Sequence, residues 1–495
     1  MNVILAGYNV DKDVLDELKR HGPPRLDVTP ETLSAAYARI SRDPRPADEL
    51  RRAARDEVEQ ARRSNRSIIF KMGHHSVAEH AVFNFDILGA SRLAIEEIER
   101  FRLCSYTEKS QRYITLGDDF VVPAEIRDAG EERLFVRTVR AQNALYHKLF
   151  RRLRPFVFGR NPELAENPKK HGILEGRAKE DARYAVSLAT EGQLGLTVNA
   201  RGLELMIRRF AANSLAEVRE LGRKLYDLAK GVAPSIVLFT EASDFDAKTY
   251  QTWEKTSGRG VRRASPGAGP AVSLVEATPD GDAMILAALL HTTSDLSFKD
   301  CRTHLKRLTR AEKKALIKKV FNHMEFYDVP PREFEYADLT FELVLSASCF
   351  AQLKRHRMAT LTAQDYDPAL GVTVPPAVEM AGAEKEFAAI IERTNDAYDR
   401  LRRKAGPAAG YVLANAHRRR ALLKVNVREL YHISRLREDA TAQWEIRELS
   451  AGMSRSARTV MPLAGLLLGG KDAYPRLYEK VFGKSPRAVP PDVKE

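Results

Sequence analysis

The sequence predicts an α+β chain that carries one unit twice, each copy a sheet packed with long helices. Three observations predict it. Val82, Asn84 and Asp86 alternate with Phe83, Phe85 and Ile87, the period-two pattern of a strand with one buried face. Helical periodicity runs through 31–64, 130–156 and 179–229. Landmarks then recur in the same order: Val272-Ser273-Leu274-Val275 reprises the opening strand, and Phe334–Phe341 reprises Ala78–Phe85. Arg355 lies 20 residues after Glu335, where Arg100 lies 21 after Glu79. Lys424-Val425-Asn426-Val427-Arg428 echoes Thr197-Val198-Asn199-Ala200-Arg201, so the chain reads as an internal duplication.

In chain order, residues 3–6 read as a short strand, and the helical stretch 31–64 breaks at Pro44 and Pro46. The strand at 82–87 feeds a helix with apolar positions Leu93, Ala94, Ile98 and Phe101 that carries Arg100 at its end. A long helix follows over 130–156, then an exposed insertion over 159–180. The insertion explains why 99 residues separate Arg100 from Asn199 while 71 separate Arg355 from Asn426. Between 241 and 270 the composition shifts to Ser, Thr, Gly, Arg and Pro, as in a linker. The expected organisation is a first copy over 1–240, a linker over 241–270 and a second copy over 271–495.

With 495 residues, 44% of them hydrophobic and 30% charged, the chain can build full cores without staples. Cys104, Cys301 and Cys349 form no framework, which fits a reducing compartment. The N-terminus is too short and polar for a signal peptide and no apolar stretch nears 18 residues, so a cytoplasmic protein without membrane contact is expected. A net charge of +13 favours anionic partners without choosing among them. The run His417-Arg418-Arg419-Arg420 reads as a solvated helix face rather than a nucleic-acid patch, and no nucleic-acid partner is expected.

The candidate chemistry centres on Arg100-Phe101-Arg102, seven residues, then Ser110-Gln111-Arg112-Tyr113, and on the later echo Arg355-His356-Arg357. An Arg-x-Arg pair at a helix end complements the negative pole of the helix and still presents two guanidinium forks to an anion. On spacing alone a solvated basic surface remains the commoner meaning. Cys104 reads as a packed thiol, and Ser110 has no His and Asp at a recognisable spacing. Glu79 and His80 face apart in helix or strand, so with His74 they make a poor cage and no metal is expected.

Arg-His-Arg-x7-Ser is the signature of the flavin-dependent thymidylate synthases, and Arg100 to Ser110 resembles it with Phe101 in place of His. Gly73–His80 is similar to the segment that precedes the signature. Asn426–Leu430, Leu436-Arg437 and Ala442–Arg447 are similar to the family's C-terminal block. The resemblance implies two copies of that family's fold. It also implies sites assembled between subunits of a homotetramer, which a homodimer of this duplicated chain would reproduce as a pseudo-tetramer.

The departures from the pattern barely overlap. The first copy keeps Ser76, Glu108, Ser110, Gln111, Arg112 and Arg183, but has Glu97 and Phe101 for Gln and His. It also lacks the last arginine of the block, where Phe210 or, with a one-residue shift, Ala211 stands. The second copy keeps Gln352, Arg355, His356, Arg357, Asn426, Arg428, His432 and Arg437, but has Ala363, Asp365, Asp367 and Gly410 opposite Glu108, Ser110, Arg112 and Arg183. Division of labour follows: one composite site retained, its mirror image abandoned. By resemblance, Gln352, Arg355, Glu108, Ser110, Gln111, Arg112, Arg183 and Arg437 would bind dUMP, with Arg437 catalytic. Ser76, Arg355, His356, Arg357, Asn426, Arg428 and His432 would bind FAD. Asn426 and Arg437, eleven residues apart, would share one helix face about 16 Å apart. The implied reaction is reductive methylation of dUMP to dTMP, with FAD as cofactor and NADPH and methylenetetrahydrofolate as co-substrates. Two alternatives stay open: a non-catalytic flavin- or nucleotide-binding regulator built on the same fold, and a nucleic-acid-binding protein.

Overall fold

Among the described residues, eight strands form two four-stranded antiparallel sheets of the same topology. The computed structural model describes residues 1–22, 28–257 and 269–487. Strands β1 (Asn2–Tyr8), β2 (Val82–Ser91), β3 (Cys104–Glu108) and β4 (Glu191–Asn199) lie in the order β1-β2-β4-β3. Strands β5 (Val272–Ala277), β6 (Asp338–Ser346), β7 (Thr360–Ala363) and β8 (Arg418–Asn426) lie in the order β5-β6-β8-β7. The alternation seen in the sequence sets the register: Phe83 and Phe85 face Val198 and Leu196, and Leu339 and Phe341 face Val425 and Leu423. All eight are buried, each contributing roughly 1.5–3 kcal/mol relative to an exposed side chain.

Both copies leave the second strand through the same latch. Ser91 caps the helix Arg92–Ile98, and its backbone N–H and hydroxyl donate to the two carboxylate oxygens of Glu217, each at 2.7 Å. Ser346 caps Ala347–Leu353 and donates likewise to Glu445 at 3.0 and 2.5 Å. Glu217 and Glu445 each stand in the first turn of a long helix, Ala216–Val232 and Trp444–Val460. Asn199 and Asn426 cap Ala200–Ala211 and Val427–Arg437, accepting from Gly202 and Glu429 N–H. The recurring asparagine is thus a helix cap, a contribution of about 1 kcal/mol.

The chain divides into two compact units: Met1–Ala264 with Pro375–Asn415, and Ser265–Val374 with Ala416–Glu495. The second copy's long helix Glu384–Ala405 therefore packs within the first unit, on its counterpart Glu132–Gly159. Gln142 Nε2 donates to Thr394 Oγ1 at 2.9 Å, each the eleventh residue past its helix cap. Ser187 pairs with Ala414, each twelve residues before the capping asparagine. Equivalent residues thus meet across a local pseudo-two-fold.

Several expectations from sequence are corrected here. The stretch 159–180 is helical for much of its length: helix His171–Ala182 buries Leu174, Ala178 and Ala182, spaced by one turn. The helical expectation over 179–229 missed β4, where buried Leu194, Leu196 and Val198 alternate in a strand that carries Gly192 and Gly195. Within the expected linker, Asp244–Ser257 is a helix held by Asp246, which pairs with Arg208 and Arg209. Gly258-Arg259-Gly260 and Ser265-Pro266-Gly267 lie outside the described residues. The basic run is not a helix face: Arg418–Arg420 lie on β8, and Arg419 is buried between the rings of Phe350 and Tyr366, at 4.5 and 4.1 Å. Among the described residues no helix is long and apolar enough to cross a membrane.

Candidate active site

In the second unit the signature follows the end of the Ala347–Leu353 helix. Arg355 and Arg357 are exposed while His356, between them, is buried. Arg437, the last residue of its helix, donates from Nε to His356 Nε2 at 2.8 Å. Guanidinium offers only donors, so Nε2 carries the lone pair and the neutral ring carries its proton on Nδ1. Burial first, then the neighbouring Arg437 and His432, hold the His356 pKa well below its usual value, so the ring stays neutral. Nδ1 faces Glu429 Oε1 across 3.6 Å, too long for a hydrogen bond. Burial raises the Glu429 pKa, and His432 and Arg428 oppose it.

His356, Glu429 and His432 bring ligand atoms within 4.8 Å of one another, the spacing of a possible metal cage. The protonated Nδ1 argues against that use, because the nitrogen nearest Glu429 has no lone pair to give while Arg437 occupies the other. Gln352 is buried, donating to Gln443 at 3.4 Å, and its Oε1 has no partner among the described residues. Arg428 donates to Pro330 O at 2.8 Å and pairs with Glu335 at 3.1 Å, so its cation already serves the fold. Exposed Arg355 and Arg357 form a donor set that fits a diphosphate.

In the first unit Arg183 is 4% exposed, and its Nε and Nη2 have no hydrogen-bond partner among the described residues. Burial lowers its pKa and the carboxylate of Glu180 opposes the shift; Arg92 and Arg112 add to it. Arg112 pairs with Glu180, and Arg92 lies 3.7 Å from Glu108. Gln111 accepts from Asn415 Nδ2 at 3.1 Å, and Asn415 also donates to Arg183 O at 3.0 Å. Ser110 Oγ accepts from the backbone N–H of Arg112, closing the turn. Three guanidiniums stand against two carboxylates, and with Nε and Nη2 of Arg183 unmet among the described residues the cluster has donors that could serve an anion. Ser76 sits exposed on the short helix His75–His80. His74, Glu79 and His80 turn to separate partners: Arg42, Arg201 and the Tyr37 ring.

The two signatures differ by one coordinated exchange. Phe101 stands ten residues past the capping Ser91 as His356 stands ten past Ser346, and Phe210 stands eleven past Asn199 as Arg437 stands eleven past Asn426. The helix caps thus select Phe210 over Ala211 as the counterpart. The Phe101 and Phe210 rings pack edge to face at 5.7 Å where the second unit has its Arg–His hydrogen bond.

Glu108, Ser110, Gln111, Arg112 and Arg183 thus lie in one unit, and Gln352, Arg355, His356, Arg357, Asn426, Arg428, His432 and Arg437 in the other, where contacts join His356 to Arg437 and His432 while Asn426 and Arg428 serve the fold. Sequence reading missed Arg92, Glu180, Asn415 and Glu429. Glu180 and Glu429 each precede a site residue, Arg183 and His432, by three, which on a helix puts them on one side. Asn415 had no local signal, since it reaches Gln111 only through tertiary packing.

The sequence profile of the thymidylate synthase complementing protein family matches residues 26–235 and again 273–463. A flavin-dependent thymidylate synthase of Clostridium tetani is 29% identical over 217 residues, 43% of this chain and 83% of that protein. A UPF0159 protein of Thermoplasma acidophilum is 22% identical over 471 residues, 88% of this chain and 94% of its own length. Among solved structures, the flavin-dependent thymidylate synthase of Helicobacter pylori complexed with FAD and dUMP aligns at 18% identity and a TM-score of 0.34, over 49% of this chain and all of that one. With the profile matched twice and covering most of its length, the chain belongs to the flavin-dependent thymidylate synthase family.

Proposed function

We propose that the chain catalyses the FAD-dependent reductive methylation of dUMP to dTMP, with NADPH and methylenetetrahydrofolate as co-substrates, at one composite site drawing on both copies. The observation that carries the reading is the complementary retention: the anion cluster around Arg183 and Arg112 in one unit, the His356–Arg437 pair in the other. The name of the Clostridium relative supports the same chemistry. Arg112 and Arg183 would neutralise the nucleotide phosphate, and Gln111 and Gln352 would read the pyrimidine edge. Arg355 and Arg357 would hold the FAD diphosphate. Bound FAD, once reduced, supplies a hydride. Arg437, as a cation at a pyrimidine oxygen, would stabilise the enolate-like charge that makes C5 nucleophilic, so no cysteine nucleophile is needed. Where the first copy has Arg112, the second has Asp367, whose carboxylate caps a short helix; with Asp365 it would repel phosphate at the mirror site.

Incubating the flavin-loaded protein with dUMP, NADPH and methylenetetrahydrofolate should yield dTMP. A yellow protein that binds dUMP without forming dTMP would instead be the non-catalytic regulator, a reading favoured by the departures at Phe101, Asp365 and Gly410. We further propose a homodimer, giving four copies of the fold. Light scattering of a flavin-loaded species at 55.6 kDa, one chain, would refute it.

A further inference from the structure

We propose that His356, in its Nδ1–H tautomer, is the positioning residue that aims Arg437 at the substrate base. The inference rests on the proposed role of Arg437. It starts from one hydrogen bond, Arg437 Nε to His356 Nε2 at 2.8 Å, with the histidine 5% exposed and the arginine at the last turn of its helix. An arginine at a helix end has four rotatable side-chain bonds, and fixing them in advance keeps the cost of ordering out of the reaction itself. A buried imidazole that must accept from Nε points the remaining guanidinium nitrogens away from itself in one plane.

The groups facing the ring favour this tautomer. Glu429 presents Oε1 on the Nδ1 side at 3.6 Å, where an N–H is attracted and a lone pair repelled. His432 approaches edge-on at 5.6 Å between ring centres. A ring fixed in this way is an acceptor for Arg437 and not a metal ligand at Nδ1. The first copy supplies an independent observation: it lacks both members of the pair together, with Phe101 and Phe210 packed at 5.7 Å in their places. A histidine that served only as a ligand contact, unrelated to the arginine, gives no reason for its counterpart to meet the arginine's counterpart in a matched apolar contact. A unit in which each needs the other does.

The test combines a spectrum with a mutant cycle. In protein labelled with 15N-histidine, the His356 resonances, assigned by their loss in His356→Gln, should show Nδ1 protonated and Nε2 bare at neutral pH. An Nε2–H tautomer overturns the proposal. His356→Phe should lower kcat on the order of 100-fold, the scale of one misdirected electrostatic donor, while the KM for dUMP moves by less than about threefold. His356→Gln, whose carbonyl oxygen can accept from the same N–H, should recover most of that loss. Adding His356→Phe to Arg437→Ala should cost nothing beyond Arg437→Ala alone, because the histidine acts through the arginine. Wild-type kcat in His356→Phe, or the full factor appearing again on top of Arg437→Ala, overturns positioning. Wild-type turnover in Arg437→Ala refutes the role of Arg437 itself, and no dTMP from flavin-loaded wild type refutes the reaction. Either removes the catalytic half of the proposal, while the spectrum still decides whether His356 holds Arg437.

Discussion

Replacing Arg183 by Met should weaken dUMP binding without weakening the fold. The residue is 4% exposed, and its Nε and Nη2 donors lack partners among the described residues, so the free protein bears the desolvation of a guanidinium and gains little in return. Bound phosphate would meet those donors. A charge-assisted hydrogen bond contributes about 1.5–3 kcal/mol, so losing one should raise the dUMP Kd roughly 10- to 150-fold. Methionine keeps the length and apolar volume of the stem, and Glu180 retains Arg112 as its partner. The melting temperature without nucleotide should therefore stay level or rise, and the stabilisation normally gained on adding dUMP should shrink. Isothermal titration and thermal unfolding with and without dUMP would measure both. Arg100→Ala is the control: half exposed and paired with Glu97 at 3.0 Å, it should change the Kd by less than about threefold. An unchanged Kd in Arg183→Met, or a large rise in the Kd of Arg100→Ala, would mean that the live cluster has been assigned to the wrong residues.

Three further outcomes are expected. Because burial and Arg437 hold the folded His356 pKa below its unfolded value near 6.5, the unfolded chain binds the proton first as pH falls. Stability should then drop below about pH 6.5 with a contribution of up to ~1.4 kcal/mol per pH unit, which denaturant titrations of His356→Gln should show removed. Gly470→Ala would place a Cβ 2.5 Å from the backbone carbonyl of Glu438, which cannot move aside alone, so a loss of roughly 1–3 kcal/mol should appear in urea unfolding. Released flavin should amount to one FAD per chain, and two would contradict a single composite site.

What the sequence made legible followed from local period and from recurrence. Strand β2 announced itself because Phe83, Phe85 and Ile87 alternate with polar residues over an uninterrupted run. Strand β4 did not, because Gly192 and Gly195 replace side chains that would have marked its period. The Asn199 and Asn426 echo was visible, but its meaning as a pair of helix caps needed the backbone, since the same residue type serves caps and ligands alike. The His356–Arg437 contact joins residues 81 apart and the Asn415–Gln111 contact residues 304 apart, separations at which no spacing rule operates. Arg418–Arg420 misled for the opposite reason: a charged run usually means solvent, and here two aromatic rings accept the middle guanidinium.

On a true two-fold axis a residue can meet only its own kind, so a side chain that donates must face another that donates. Gln142 and Thr394 escape that rule, since the amide gives its proton to a hydroxyl, and Ser187 lies opposite an alanine. Writing both halves into one chain turns each contact at the axis into a choice of two residues, where a symmetric pair has one. A contact there can improve by changing one partner alone, and the same freedom lets each half give up a different share of a site while keeping the rest.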